Sequence, residues 1–308
     1  VSGNGTWLWA VQAGGSGSAV GHGVAYDSSA GRLYVIGTFE GAATFGSTTL
    51  TSAGFADIFV AALSSSDGTW LWAVTAGGMS SDRGSAIAVG TSGTSYVTGY
   101  FRDTATFGST TLTASGSTGA VEVFVGAVSS DGSWQWAVQA GGAWDDRGNG
   151  IAVDSFGTSY VTGSFRYTAT SGSMTRDSAG VDDVFVGAVS SSGTWLWVLQ
   201  AGGGSADVAN AITYDAFGMR VYLTGYFRAA ATFGPTALST PGDTRAIFVA
   251  AVSSDGVWQW AVTAGGDSHS RGNGIAVDRS GMRIYVTGSF AAAGSTAGTV
   301  SFGPTILT

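Results

Sequence analysis

The stretch GTWLWAVQAGG at residues 5–15 returns four more times: as GTWLWAVTAGG from Gly68, GSWQWAVQAGG from Gly132, GTWLWVLQAGG from Gly193 and GVWQWAVTAGG from Gly256. The leading tryptophans, Trp7, Trp70, Trp134, Trp195 and Trp258, are 63, 64, 61 and 63 residues apart. Spacing this even means that one structural unit is used repeatedly, and units that bury their faces against one another make a single domain of residues 1–308. The chain has 51 glycines and only 10% charged residues, yet 44% of its residues are apolar, too many for a disordered polypeptide.

Each repeat follows the same order after its tryptophans. A polar loop leads to a short strand of small residues, strand A: GVAYD from Gly23, AIAVG from Ala86, GIAVD from Gly150, AITYD from Ala211 and GIAVD from Gly274. A Ser/Gly turn leads to strand B: LYVIGTF from Leu33, SYVTGYF from Ser95, SYVTGSF from Ser159, VYLTGYF from Val221 and IYVTGSF from Ile284. β-Branched and aromatic runs bounded by Gly and Ser are strand signals, and no window carries a helical period. A longer connection follows, reading ATFGSTTLT at residues 43–51 and again at 105–113. Pro235 and Pro304 place a turn in its middle, and its degenerate third copy, ATSGSMTRD at 169–177, suggests a peripheral segment. Strand C is DIFVAAL from Asp57, EVFVGAV from Glu122, DVFVGAV from Asp183 and AIFVAAV from Ala246; an SSDG-type turn then enters the tryptophan strand, D.

Four strands joined by short turns form an antiparallel meander. Five of them set radially predict an all-β, five-bladed β-propeller of four-stranded antiparallel blades with a repeat of about 63 residues. Near-continuous apolar strands fit sheets covered on both faces. Small residues in strand A suit the crowded axis, and paired tryptophans in strand D suit the diverging rim, so the tryptophans are first of all packing residues. The order GNGIAVDxxGxxYVTGxF, TATFGxTTLT, DxFVAAV, SSDGxWLWAVxAGG resembles the bacterial SBBP-type β-propeller repeat along essentially the whole chain. That resemblance implies a secreted propeller used for adhesion or display, often within a longer polypeptide, and implies no shared catalytic residues. Gly90 departs from the pattern, standing where the other repeats have Asp27, Asp154, Asp215 and Asp278. Those aspartates precede Ser/Gly turns and are expected to accept backbone N–H bonds there.

The terminal repeats predict a closing blade shared between the N- and C-termini. Val1 aligns with Val252 and Thr308 with Thr51, so the counterpart of residues 52–62 falls in neither end segment. Three readings follow: the sequence continues in a longer chain, residues 299–308 occupy the vacant place, or another subunit supplies the strand. Trp7, Trp9, Phe302 and Ile306 are the residues expected at this assembly edge.

The net charge of −8 and a pI near 4.5 argue against nucleic acid and anionic membranes as partners. All twelve basic residues are arginine, and no apolar run is long enough to insert in a membrane. The opening VSGNGT is not a signal peptide, so targeting to the exterior would rest on segments outside this sequence. Cysteine is absent, excluding disulfides, thiolate zinc sites and a cysteine nucleophile. No Asp-rich calcium loop is present, and the two histidines are far apart, so neither metal nor cofactor is expected. The only N-glycosylation sequon is Asn4-Gly5-Thr6.

The D-to-A loops and B-to-C connections are expected on one face. They bring there His22, Asp82 with Arg83, Trp144 with Asp145, Asp146 and Arg147, Asp207, and Asp267 with His269 and Arg271. One reading is a carbohydrate site, with carboxylates and guanidinium groups on hydroxyls and Trp144 as a stacking platform. The other is structural: these side chains cap turns and bridge neighbouring blades. No nucleophile, base and orienting group occur together in a distinctive motif, so no enzyme is expected. The leading expectation is a non-catalytic structural or adhesive module at the cell surface or in an extracellular filament, self-associating or joined to adjoining domains. Glycan binding on the loop face is the alternative.

Overall fold

The computed structural model describes residues 1–116, 119–266, 269–290, 300–302 and 305–307; the side chains of Phe302 and Ile306 lie outside what is described. The chain is all-β with antiparallel sheets, and no helix among the described residues is long and apolar enough to cross a membrane. Unit 1 comprises Ala19–Asp27, Arg32–Phe45, Thr48–Ser64 and Trp70–Gly77. In unit 2, Arg83–Val89, Ser95–Arg102, Val121–Val128 and Trp134–Gly142 repeat the pattern. Unit 3 follows with Arg147–Val153, Ser159–Ser171, Met174–Val189 and Trp195–Ala201. Unit 4 has Val208–Asp215, Arg220–Arg228, Arg245–Ser253 and Trp258–Gly266. In each, strands A, B, C and D pair in sequence order. A fifth pair, Ser270–Val277 with Ile284–Phe290, supplies another A and B.

Beyond the acid that opens it, strand C is an apolar run because both of its faces are covered. In unit 2, Phe124 and Val128 enter a cluster with Ile36, Ile58 and Val60 of unit 1. Val123, Val125 and Ala127, on the opposite face, enter a cluster with Val161, Phe165 and Val198 of unit 3. The period of two along a strand thus divides one run of residues between two cores. Units 3 and 4 share a third cluster containing Phe227, Phe233 and Phe248. The core therefore consists of layers between sheets, and the A strands of consecutive units lie beside one another from unit 1 to the fifth pair.

The ATFGxTTLT connection forms a β-hairpin, either running on from strands B and C or separate from them, as in Thr104–Phe107 with Thr110–Thr113. Pro235 sits in its turn, between Ala230–Phe233 and Thr236–Ser239; Pro304 is outside the described residues. The third copy is largely exposed, in keeping with a peripheral segment, but the hairpin is anchored to the neighbouring unit. The hairpin pairs with the end of strand D of the preceding unit: Ala76 and Gly77 with Phe107 and Thr106, and Ala140 to Gly142 with Ser171 to Ala169. Even the degenerate third copy does so, because a ladder uses main-chain atoms and tolerates side-chain change.

One correction concerns the first copy of the tryptophan motif. Only Ala13–Gly15 is a strand, paired with Phe45 to Ala43, and residues 5–12 belong to no ladder. The physical reason is the missing partner, since Trp70–Gly77 is held along its length by strand C of its own unit, whereas 5–12 has no such neighbour among the described residues. Among the described residues, strand B of the fifth pair likewise has a partner on one side alone. Tyr285 is 55% exposed, whereas its counterparts Tyr34, Tyr96, Tyr160 and Tyr222 are at most 5% exposed.

Candidate functional site

Much of the repeated chemistry is used to join units. The second tryptophan of strand D donates its indole N–H to the C-to-D turn of the next unit: Trp72 to Ser130, Trp136 to Ser191 and Trp197 to Ser254, at 2.9–3.0 Å. Trp9 makes the corresponding bond to the Ser65 carbonyl at 2.9 Å, although its segment forms no ladder. The first tryptophan reaches the other way, Trp134 to the Thr75 carbonyl and Trp195 to that of Gln139, both at 3.1 Å. The turn glycine follows from this geometry. Gly132 has φ +90°, and a Cβ there would lie 2.9 Å from Trp72 Cδ2.

Three of the loop aspartates expected on the ligand-facing side, Asp82, Asp146 and Asp207, are buried. Asp146 is 0% exposed and accepts the N–H of Gly142 at 2.8 Å and of Arg166 at 2.9 Å, tying the end of one unit's strand D to the next unit's strand B. Asp82 does the same for Gly78 and Arg102, and Asp207 for Gly203 and Arg228. Beside them lie the buried acids that open strand C, Asp57, Glu122 and Asp183. Burial pushes Asp57 up to about 6 and Asp82, Asp146 and Asp207 up to about 7, against the bonds they accept. Asp27, Asp154, Asp215 and Asp278 accept turn N–H groups, as expected from their place before Ser/Gly turns.

The arginines that follow Asp82 and Asp146, and Arg271 in the corresponding place, go elsewhere. Arg83, Arg147 and Arg271 line a pocket of about 550 Å³ together with His22, Ser85, Tyr100, Asn149, Asn210 and Asn273. All five A strands contribute to it. His22, Ser85, Asn149, Asn210 and Asn273 occupy the same place in their strands, each between two small residues where the ladder register shifts. A bulge of this kind re-aims one side chain without ending the strand. Asn149 donates to the Ala209 carbonyl at 2.9 Å and Asn210 to that of Gly272 at 2.7 Å, each crossing to the next unit. Arg271 donates to Asn210 Oδ1 at 2.9 Å, and Arg83 lies 3.3 Å from His22 Nδ1. Burial, then the neighbouring Arg83 charge, holds His22 below its ordinary value. The bulge asparagines were not singled out from the sequence; the recurrent pattern GHG, GSA, GNG, ANA, GNG marks them.

The remaining candidates are dispersed. Trp144 is 50% exposed and meets Tyr167 edge-on at 5.4 Å. Asp145 forms an ion pair with Arg147 at 2.8 Å. His269 accepts the Arg245 N–H at 3.1 Å, and Asp267 lies outside the described residues. No group of three or more His, Asp or Glu side chains among the described residues could hold a metal ion. At the expected edge, Trp7 is 78% exposed while Trp9 is docked on Ser65.

Antiparallel four-stranded units in series, joined at every boundary by the same tryptophan, hairpin and carboxylate bonds, are the construction of a β-propeller repeat. Residues 135–164, running from strand D of unit 2 through strands A and B of unit 3, match the SBBP family model, a beta-propeller repeat. None of the curated proteins compared matches the chain.

Proposed function

We propose that the chain is a five-bladed propeller acting as a non-catalytic structural or adhesive module outside the cell, within a cell-surface or filamentous assembly. The observation that carries this reading is the destination of the repeated residues: Trp72, Trp136 and Trp197 and the loop aspartates Asp82, Asp146 and Asp207 are consumed in bonds between units. Such an array resists local opening because each boundary among units 1 to 4 has the same set of fastenings. The five-blade arrangement is supported by the pocket that gathers side chains from five A strands. Sharing of the closing blade is supported by Trp9, which docks before unit 1 as Trp72 docks before unit 2.

Assembly proceeds through the closing blade, where Trp7 and Tyr285 are exposed and the B strand has a ladder on one side alone among the described residues. Sedimentation across a concentration range tests this: association that weakens in Trp7→Ala supports it, and a monomer at every concentration overturns self-association. Fractionation of the source cells tests the extracellular assignment, which a cytoplasmic location overturns. A second reading, glycan binding on the loop face, is favoured by the half-exposed Trp144 beside Tyr167 and the Asp145–Arg147 pair. Glycan-array binding lost in Trp144→Ala supports it, and binding unchanged in that variant rejects this site.

A further inference from the structure

We propose that the pocket where the five A strands meet is a binding site for a small oxyanion, a carboxylate, sulfate or phosphate group carried on a polar molecule. The chain carries a net charge of −8, yet Arg83, Arg147, Arg271 and His22 converge on this one pocket. Of the three arginines, Arg147 is paired with a carboxylate, Asp145 at 2.8 Å. Arg83 and Arg271 have no carboxylate partner among the described residues and are held by neutral groups, His22 and Asn210. Neutral partners fix the guanidinium groups in place without cancelling their charge, which leaves fork-shaped donors for an oxyanion.

The rest of the lining fits the same chemistry. Arg147 lies over the ring of Tyr100 at 5.6 Å, and Arg271 over that of Tyr226 at 5.7 Å, which restrains both side chains. With Arg83 against Nδ1 of His22, the imidazole proton sits on Nε2, a further neutral donor. The asparagine amides and the Ser85 hydroxyl offer bonds to a polar body, and about 550 Å³ accommodates a molecule of monosaccharide size. A positive pocket in an otherwise acidic protein also concentrates anions near its mouth.

The test is calorimetric titration with sulfate, inorganic phosphate and glucuronate separately, with glucose as the uncharged control. The proposal expects at least one anion to bind at millimolar concentration, glucose not to bind, and Arg83→Gln with Arg271→Gln to weaken binding about tenfold or more. Which anion binds tells whether an inorganic group or an organic acid is held. An NMR titration of the unmodified protein gives an independent readout: the anion raises the pKa of His22 and leaves the His269 resonances in place. No binding by any of the three anions, or binding indifferent to the double substitution with no shift at His22, overturns the proposal.

Discussion

The indole of Trp72 donates to the main-chain carbonyl of Ser130, 2.9 Å away in the next unit, and its ring also packs against Tyr34 of its own unit at 5.9 Å. One side chain thus belongs to two sheets. Trp72→Ala removes both contacts and should lower stability by about 3–5 kcal/mol, whereas Trp72→Phe keeps most of the packing and should cost about 1 kcal/mol for the hydrogen bond. Urea denaturation separates the two. Trp7→Ala, at a ring 78% exposed, should change monomer stability by less than about 0.5 kcal/mol.

Asp146, fully buried, accepts two backbone N–H groups, those of Gly142 and Arg166. Asp146→Ala should destabilise by about 2–4 kcal/mol, because each orphaned donor retains its desolvation cost. Asp146→Asn keeps one acceptor oxygen and should fall between the alanine variant and the unaltered protein. Equal losses for the two variants in chemical denaturation would reject the clasp.

Stability should decline as pH rises through the neutral range. Asp82, Asp146 and Asp207 titrate near 7 when folded, against 3.8 in an unfolded chain. Between those values the folded state holds more protons than the unfolded one. The contribution is therefore complete below about 4 and is lost as pH climbs through 7. Asp27 has the opposite shift, lowered first by its bond from Ser29, and its contribution is lost only on further acidification. Melting temperature should fall between pH 5 and 8, and the slope should flatten in Asp146→Asn; a rising melting temperature over that range contradicts the assignment.

Gly99 in strand B leaves room for the carbonyl of Arg83, which a Cβ would approach to 1.9 Å. Gly99→Ala should cost about 1–3 kcal/mol through the forced backbone shift. It should also move Arg83, since that carbonyl belongs to the bulged strand of the pocket. A wild-type melting curve together with an unchanged His22 resonance would show that the strand yields freely there.

Tryptophan spacing and strand order were legible because they are local and periodic. The runs from Leu33, Ser95, Ser159 and Val221 became strands, and continuous apolar residues such as 123–128 announced a sheet covered on both faces. The same evenness was less informative in 5–12, where an intact motif lacks the strand that holds its copies. The likeness of Asp145, Asp146 and Arg147 as neighbours in sequence also concealed three different fates: an ion pair, a buried clasp and a pocket wall.

The sequence by itself determined the repeat, the strands and the faces they bury, because side-chain alternation and turn residues act within a few positions. Only the tertiary structure decided which polar residues are structural and which converge. Asp146 joins Gly142 to Arg166 across a unit boundary, and His22, Arg83, Arg147 and Arg271 meet from strands that recur roughly every 60 residues. That meeting is set by how the sheets pack around their A strands, a relation with no signature in any single repeat.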